Sequence, residues 1–179
     1  MKIKDKQLNK NTVKKAVIIS IAIALITGAC GQAAKQQVKN NTTRQYAGTY
    51  TFGDKDSETR SGIVYVYPKT DKTLLFYLFV IKGAPSYNSG SIYGRITIHN
   101  EKAIFQKRFG YEEADCVLRF EFKENTLTIT EDENYCGCGF GHGVYVRDIF
   151  QKTSSEIPQY YTTMENEKVY FSEWKEEFE

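Results

Sequence analysis

Short runs of alternating apolar and polar residues, separated by polar turns, follow one another from Tyr46 to Glu179. Alternation with a period of two places every second side chain on one face, as in a half-buried β-strand. The run TLLFYLFVI is apolar on both faces, which predicts the most buried strand. Strands are predicted at residues 46–52, 62–67, 73–81, 91–98, 103–107, 116–122, 126–130, 144–152 and 168–171.

The clearest predicted hairpin joins the strand that begins at Cys116 to the strand that begins at Thr126, through a turn at residues 123–125. No segment of ten or more residues in this region keeps a 3.6-residue apolar stripe, which disfavours parallel α/β architectures. The sequence therefore predicts an all-β fold, a single antiparallel meander of about eight strands that closes as a small barrel or folds as a sandwich. Residues 173–179 are predicted to form a short helical turn that Trp174 or Phe178 holds in place.

The first thirty residues have a different pattern, in which a basic leader precedes an apolar segment and then small residues. The segment from Ala16 to Ile26 has eleven residues, too few to cross a hydrocarbon core about 30 Å thick. This order is typical of a secretory signal peptide. The lysines of the leader are Lys2, Lys4, Lys6, Lys10, Lys14 and Lys15.

Thr27, Gly28 and Ala29 precede Cys30, and these residues resemble the lipobox of bacterial lipoproteins, with Thr27 in place of the usual leucine. The resemblance implies a signal peptide at residues 1–29, cleavage before Cys30, and acyl chains such as palmitate on that cysteine. Because each buried methylene contributes about 0.8 kcal/mol, several acyl chains give a firm membrane anchor. The expected location is the cell envelope, with the choice of inner or outer membrane left open.

The charge balance changes once residues 1–29 are removed. Those residues hold six lysines and one aspartate, so 24 basic and 22 acidic residues become 18 and 21, a balance of minus three. Lys and Arg are interspersed with Asp and Glu in the remaining chain, which disfavours nucleic acid as a partner. Residues 30–45 are rich in Gln, Asn, Lys and Thr and are predicted to form a flexible tether. A β domain of 134 residues, 46–179, follows.

Candidate chemistry concentrates in the segment YCGCGFGHGVY at residues 135–145, which has four glycines within seven residues. In an exported domain, Cys116 is expected to form a disulfide that ties this loop down. Cys138 is the preferred partner and Cys136 the alternative, since a hairpin brings both near Cys116. Closing a loop of about 22 residues should stabilise the fold by roughly 3 kcal/mol. The candidate partner-binding residues of the loop are Gly139, Phe140, Gly141, His142 and Gly143.

Two other interpretations of this loop are open. Cys136, Cys138 and His142 could bind Zn²⁺ or Cu⁺, with His99 as the other histidine available to complete a site. The spacing matches no strong zinc signature, so the sequence predicts no metal and no cofactor. Cys136 could also act as a nucleophile with His142, but no group that would orient the pair can be identified. The sequence therefore predicts a protein that is not an enzyme.

Two groups of carboxylates are expected to meet at one end of the sheet. A glycosidase would hold two such groups several ångström apart in a cleft. Solvated turn residues are the favoured interpretation, because acidic residues are commonplace on exposed loops. Beside a protruding Phe140 and His142, these carboxylates would suit a basic protein partner. The two groups are Glu112, Glu113 and Asp115, and Glu131, Asp132 and Glu133.

The arrangement of Cys116 and the sequence CGFG at residues 138–141 looks like that of small bacterial envelope lipoproteins that include lysozyme inhibitors. That resemblance implies a barrel whose loops block a basic hydrolase. The opening YAGTYTF at 46–52 is also similar to the start of lipocalin-like barrels, although the lipocalin Gly-x-Trp is absent. A ligand-carrying barrel would need an internal cavity, whereas the many large aromatic residues predict a filled interior. The expected function is binding of a protein or other envelope partner, and the alternatives are a ligand carrier or a thiol- or metal-dependent enzyme.

Overall fold

The strands of a computed structural model carry nearly all of the regular structure in the residues that it describes, 43–54, 58–108 and 115–175. For residues 133–136 it describes the backbone alone. Two short 3-10 helices, Arg44–Tyr46 and Phe171–Glu173, flank the strands. The strands are β1 (Gly48–Phe52), β2 (Ser61–Pro68), β3 (Thr73–Ile81), β4 (Ser89–Thr97), β5 (Lys102–Lys107), β6 (Cys116–Lys123), β7 (Thr126–Cys136), β8 (Arg147–Ser154), β9 (Tyr160–Thr162) and β10 (Lys168–Tyr170).

The first eight strands form one antiparallel sheet with the order β4-β3-β2-β1-β8-β7-β6-β5. Because β8 pairs with β1, the two halves of the meander join into a nearly closed barrel. The strands β4 and β5 are the two ends of this sheet, and the Phe105 ring of β5 packs against Gly94 of β4 across the seam. The predicted all-β meander is confirmed.

The barrel interior is filled by alternate side chains of every strand. In β3, the inward residues Leu74, Phe76, Leu78 and Val80 are all buried, as period-two alternation requires. Aromatic rings occupy much of the remaining space, and those with almost no exposed surface are Tyr50, Phe76, Phe120, Phe122 and Phe150.

A second layer covers one outer face of the barrel. The strands β9 and β10 form a separate two-stranded sheet. Its Tyr161 and the following Phe171 are buried in a cluster with Leu75 and Tyr77, which point outward from β3. This packing explains why β3 is apolar on both of its faces. One face fills the barrel and the other supports the hairpin.

Some element boundaries differ from the predicted ones. The strand β7 continues to Cys136 instead of ending at residue 130, and β8 begins at Arg147 instead of 144. The extension of β7 is irregular. From Leu118 to Cys116, β6 covers two residue positions, whereas the stretch of β7 that pairs with it, from Glu131 to Cys136, covers five. The extension of β7 therefore has no period-two pattern in the sequence.

The C-terminal region also differs from the prediction. The short strand β9 was not predicted, because three residues are too few for a periodic pattern. A 3-10 helix at Phe171–Glu173 stands near the predicted helical turn. Trp174 packs against the cluster of Tyr161 and Phe171, whereas Phe178 lies outside the described residues.

The two ends of the barrel differ in their connections. At one end, called the turn end, tight turns join β2 to β3, β4 to β5 and β6 to β7. At the other, called the loop end, longer segments join β1 to β2, β3 to β4, β5 to β6 and β7 to β8. The chain comes into β1 at the turn end, where the Thr43 hydroxyl donates a hydrogen bond to the Thr70 carbonyl oxygen at 2.5 Å.

No helix long and apolar enough to cross a bilayer occurs in the described part of the chain. The predicted signal peptide, the lipidated Cys30 and the tether all lie outside the described residues.

Candidate functional site

The segment of residues 137–146, called the glycine loop, connects β7 to β8 at the loop end. The Gly137 amide donates to the Asp115 carbonyl oxygen at 3.3 Å, and the Gly141 amide donates to the Ser89 carbonyl oxygen at 3.1 Å. Ser89 begins β4, which is four strands away from β8 in the sheet order. The glycine loop therefore reaches across the mouth of the barrel and is held at both sides.

A disulfide between Cys116 and Cys138 fixes the start of the glycine loop. The two Cα atoms are 4.4 Å apart, and both residues are buried. This is the pairing that the sequence favoured. The backbone of Cys136, the alternative partner, lies directly opposite Cys116 in the β6–β7 register. Both candidates therefore lie close to Cys116 along the backbone, and Cys138 is the one that is bonded.

Phe140 was expected to protrude from the glycine loop, and that expectation is wrong. Its ring lies against Gly90 in β4 and packs on the barrel core, where a side chain at position 90 would collide with it. Two loop residues, Gly139 and Gly143, have φ angles of +69° and +74°, a left-handed conformation that favours glycine. The apolar part of the loop thus anchors it, and polar residues remain outside.

His142 is exposed at the loop end, and its carbonyl oxygen accepts a hydrogen bond from the Asn88 side-chain amide at 2.7 Å. His99 lies in the turn between β4 and β5, at the turn end. The two histidines therefore lie at opposite ends of the barrel and cannot share a site. The sulfur of Cys138 is bonded to Cys116. Within the described ranges, no three His, Cys, Asp or Glu residues converge as ligands for a metal ion.

Two of the predicted carboxylates are bonded to neighbouring side chains. Asp115 accepts hydrogen bonds from Gln106 Nε2 at 2.9 Å and Arg108 Nε at 2.7 Å, and these bonds lower the pKa of its carboxyl group. Asp132 accepts a hydrogen bond from the Arg119 guanidinium at 3.0 Å. The favoured interpretation was solvated turn residues, whereas both carboxylates are bonded to side chains of the domain and Asp132 lies within β7.

The remaining predicted carboxylates give no pair in the described structure. The Oε2 atom of Glu131 accepts a hydrogen bond from the Val146 amide at 3.2 Å, at the end of the glycine loop. Burial raises the pKa of Glu131, and the hydrogen bond from Val146 opposes that shift. Glu112 and Glu113 lie outside the described residues, as does the side chain of Glu133.

A cluster of side chains around Arg60, which stands just before β2, has no signature in the sequence. The Arg60 guanidinium pairs with the Asp148 carboxylate of β8. Its Cζ atom lies 5.0 Å from the centre of the Phe52 ring and 4.3 Å from the centre of the Tyr145 ring. No local pattern could reveal this cluster, because Arg60 and Asp148 are 88 positions apart.

Two tyrosines present their rings to solvent at the loop end. Tyr87, in the connection between β3 and β4, is 50% exposed, and Tyr145, in the glycine loop, is 47% exposed. Tyr87 has a φ angle of +51°, and its amide donates to the Gly83 carbonyl oxygen at 2.8 Å. Tyrosine is enriched at protein interfaces, because its ring supplies apolar contact area and its hydroxyl group can stay in water. The loop end therefore has an exposed aromatic surface beside His142.

Comparisons with known proteins identify no family for this chain. It matches no protein-family model. Searches of curated proteins and of solved structures gave no significant match. Its function is therefore inferred from its own residues.

Proposed function

We propose that this protein is a bacterial envelope lipoprotein, anchored through lipid on Cys30, whose β domain binds a protein partner at its loop end as a lysozyme-type hydrolase inhibitor. The observation that carries this proposal is the difference between the two ends of the barrel. The chain comes into the barrel at the turn end, where Thr43 contacts Thr70, and the glycine loop spans the opposite end. The glycine loop therefore lies at the end of the barrel opposite to the one where the chain enters it.

The loop end has the chemistry of a preorganised protein-binding surface. The disulfide of Cys138 and the packing of Phe140 on Gly90 fix the glycine loop before any partner arrives. A fixed loop loses little conformational entropy on binding. Tyr87 and Tyr145 then offer large aromatic contacts with few rotatable bonds.

The role of charge at this end differs from the one first expected. Asp115, Asp132 and Asp148 are each paired with an arginine of the domain. A basic hydrolase would therefore be attracted by the negative balance of the mature chain, which mainly raises the association rate. The binding energy would come from the exposed tyrosines.

A hydrolase assay with the lipidated full-length protein tests this function. We expect micromolar protein to inhibit a basic lysozyme and to retain it in a pull-down. The Tyr87→Ala variant should weaken inhibition by about tenfold or more, because truncation of a central interface tyrosine commonly costs about 2 kcal/mol. Tyr170→Ala is the matched control, since Tyr170 is 43% exposed on β10, in the separate two-stranded sheet. Absence of inhibition and of any retained envelope protein would contradict the proposal.

The anchor has a test of its own. Mass spectrometry of the mature protein should find acyl chains on an N-terminal Cys30, and Cys30→Ser should release the protein from the membrane. An N-terminus that still contains residues 1–29 would contradict the proposed lipoprotein.

The alternatives have less support. A ligand carrier requires a cavity, whereas Tyr50, Phe76, Phe120, Phe122 and Phe150 occupy the barrel interior. A thiol- or metal-dependent enzyme remains an alternative, and it predicts that Cys136→Ser or His142→Ala abolishes turnover without lowering stability.

A further inference from the structure

A groove on the outside of the barrel lies between the C-terminal hairpin and the edge strand β4. It has a volume of about 620 Å³ and is called the hairpin groove. Tyr93 of β4 forms one wall, and Trp174 lies in the segment after β10 that forms another. This volume is within the range of about 300–1,000 Å³ that is typical of small-ligand clefts.

The aromatic floor of the hairpin groove is rigid. The Tyr161 ring is buried and stacks on Tyr77, with 4.1 Å between the ring centres and 12° between the planes. The centre of the Tyr93 ring lies 6.1 Å from the centre of the Tyr161 ring, and Tyr93 is 49% exposed. One fixed ring therefore supports a second ring that faces solvent.

Polar groups complete the lining. Thr163, Glu173 and Lys175 border the groove and supply a hydroxyl, a carboxylate and an ammonium group beside the aromatic residues. This combination suits a molecule with flat apolar faces and hydroxyl groups around its edge. The C–H groups of a sugar ring carry a partial positive charge and favour the negative face of an aromatic ring. Sugar hydroxyls can both donate and accept hydrogen bonds.

The charges around the groove favour a neutral ligand over an anionic one. Between Tyr160 and Lys175 the chain has three glutamates, Glu165, Glu167 and Glu173, and two lysines. The ammonium of Lys168 lies 4.5 Å from the centre of the Tyr160 ring. The lining itself has one charge of each sign, Glu173 and Lys175, and so offers no net charge to attract an anionic lipid headgroup or a polyanionic glycan.

We propose that the hairpin groove binds a neutral oligosaccharide, with Tyr93 and Trp174 stacking on sugar rings and Glu173 bonding to hydroxyl groups. This site is separate from the loop end and does not depend on the function proposed there.

Fluorescence of Trp174 tests the proposal directly, because Trp174 is the sole tryptophan of the chain. The full-length protein is titrated with chitotetraose and, separately, with cellotetraose. Each sugar is added up to about 10 mM, so that a millimolar dissociation constant, about −4 kcal/mol, can be measured. We expect a saturable change in Trp174 emission with one tetramer or both. Tyr93→Ala should weaken the affinity by tenfold or more.

Matched variants separate this site from the loop end. Tyr170→Ala changes a tyrosine of similar exposure, 43%, outside the groove, and should bind the sugar normally. Tyr87→Ala should also bind normally, although it is expected to weaken hydrolase inhibition. No emission change with either tetramer, or an equal effect of Tyr93→Ala and Tyr170→Ala, would overturn the proposal.

Two other occupants of the hairpin groove would each give a different result in the Trp174 fluorescence experiment. If Phe178→Ala raises acrylamide quenching of Trp174 and the sugars have no effect, the C-terminal residues of this chain fill the groove and the proposal fails. If vesicles of anionic lipid change Trp174 emission and the tetramers do not, the groove seats a membrane surface and the proposal also fails.

Discussion

The Cζ atom of Arg60 lies 4.3 Å from the centre of the Tyr145 ring, so a residue beside β2 is stacked on a residue of the glycine loop. The same guanidinium pairs with Asp148. One side chain therefore joins the start of β2 to the adjoining glycine loop and β8, which are 85 and 88 positions away in sequence, and it does so at the base of the proposed binding surface. The planar guanidinium is needed, because it can stack on a ring and bind a carboxylate at once.

Arg60→Ala should destabilise the fold by about 1–3 kcal/mol, because it leaves the half-buried Asp148 carboxylate without this partner. Arg60→Lys keeps the charge but loses the flat stacking face, and should cost about 0.5–1 kcal/mol. Chemical denaturation measures both. A double-mutant cycle with Tyr145→Leu should give a coupling energy of the same order as the loss in Arg60→Lys. A coupling energy of zero would show that the stacking contributes nothing.

Loss of the disulfide should destabilise the domain by about 3 kcal/mol, since it closes a loop of 22 residues. The double variant Cys136→Ser, Cys138→Ser is the test, because Cys136 lies opposite Cys116 and can replace Cys138 as its partner. The midpoint of unfolding is measured under non-reducing conditions. Cys136→Ser is the matched control and should keep both the bond and the stability. The opposite result would show that Cys116 pairs with Cys136, its neighbour in the register.

Gly90→Ala should destabilise the fold by about 1–3 kcal/mol, because the added methyl group meets the Phe140 ring. The double variant Gly90→Ala, Phe140→Leu should lose less than the sum of the two single changes, since the smaller side chain leaves room. Thermal unfolding provides the comparison. If the two losses add, Phe140 does not lie on position 90.

The run TLLFYLFVI predicted β3 with its observed bounds, Thr73–Ile81, because a short continuous apolar run between polar turns is typical of a strand that is buried on both faces. Its outward residues Leu75, Tyr77 and Phe79 were a signal for a covering layer, yet β9 is too short to be recognised. The irregular end of β7 was missed for a related reason, since three extra residues break the alternation.

The candidate site was predicted in part. The glycine spacing and the cysteines located the glycine loop and its disulfide, because both depend on local residue types. The inward turn of Phe140 and the contact between Arg60 and Tyr145 depend on strands far apart in sequence. No motif encodes such contacts.

Alkaline pH should weaken the packing of the hairpin on the barrel. Burial raises the pKa of the Tyr161 hydroxyl to about 12, above its ordinary value of 10.0. A raised pKa in the folded state means that the associated stability is present below pH 10 and is lost as the pH rises towards 12. Tyr161→Phe should flatten the decline of unfolding free energy over this interval. An unchanged decline would show that Tyr161 ionises as freely in the folded state as in the unfolded state.

Glu131→Gln should leave the fold at least as stable as the parent at pH 7. Burial raises the pKa of Glu131, so the folded state favours its neutral form, and stability falls as the pH rises through that pKa. The amide oxygen of glutamine can still accept the hydrogen bond from Val146. Glu121→Gln is the control of opposite sign, because a hydrogen bond from Lys123 lowers the pKa of Glu121. Both differences should vanish at acid pH.

The seam between β4 and β5 is where we expect the barrel to open locally. Since β4 and β5 are the ends of the sheet, the backbone ladder does not continue between them, and packing such as that of Phe105 on Gly94 holds them together. Separating these two strands breaks apolar contacts but spares the ladders elsewhere. The backbone amides of β4 and β5 that face each other across the seam should exchange with deuterium earlier than the amides of β1 and β8, whose pairing closes the opposite wall.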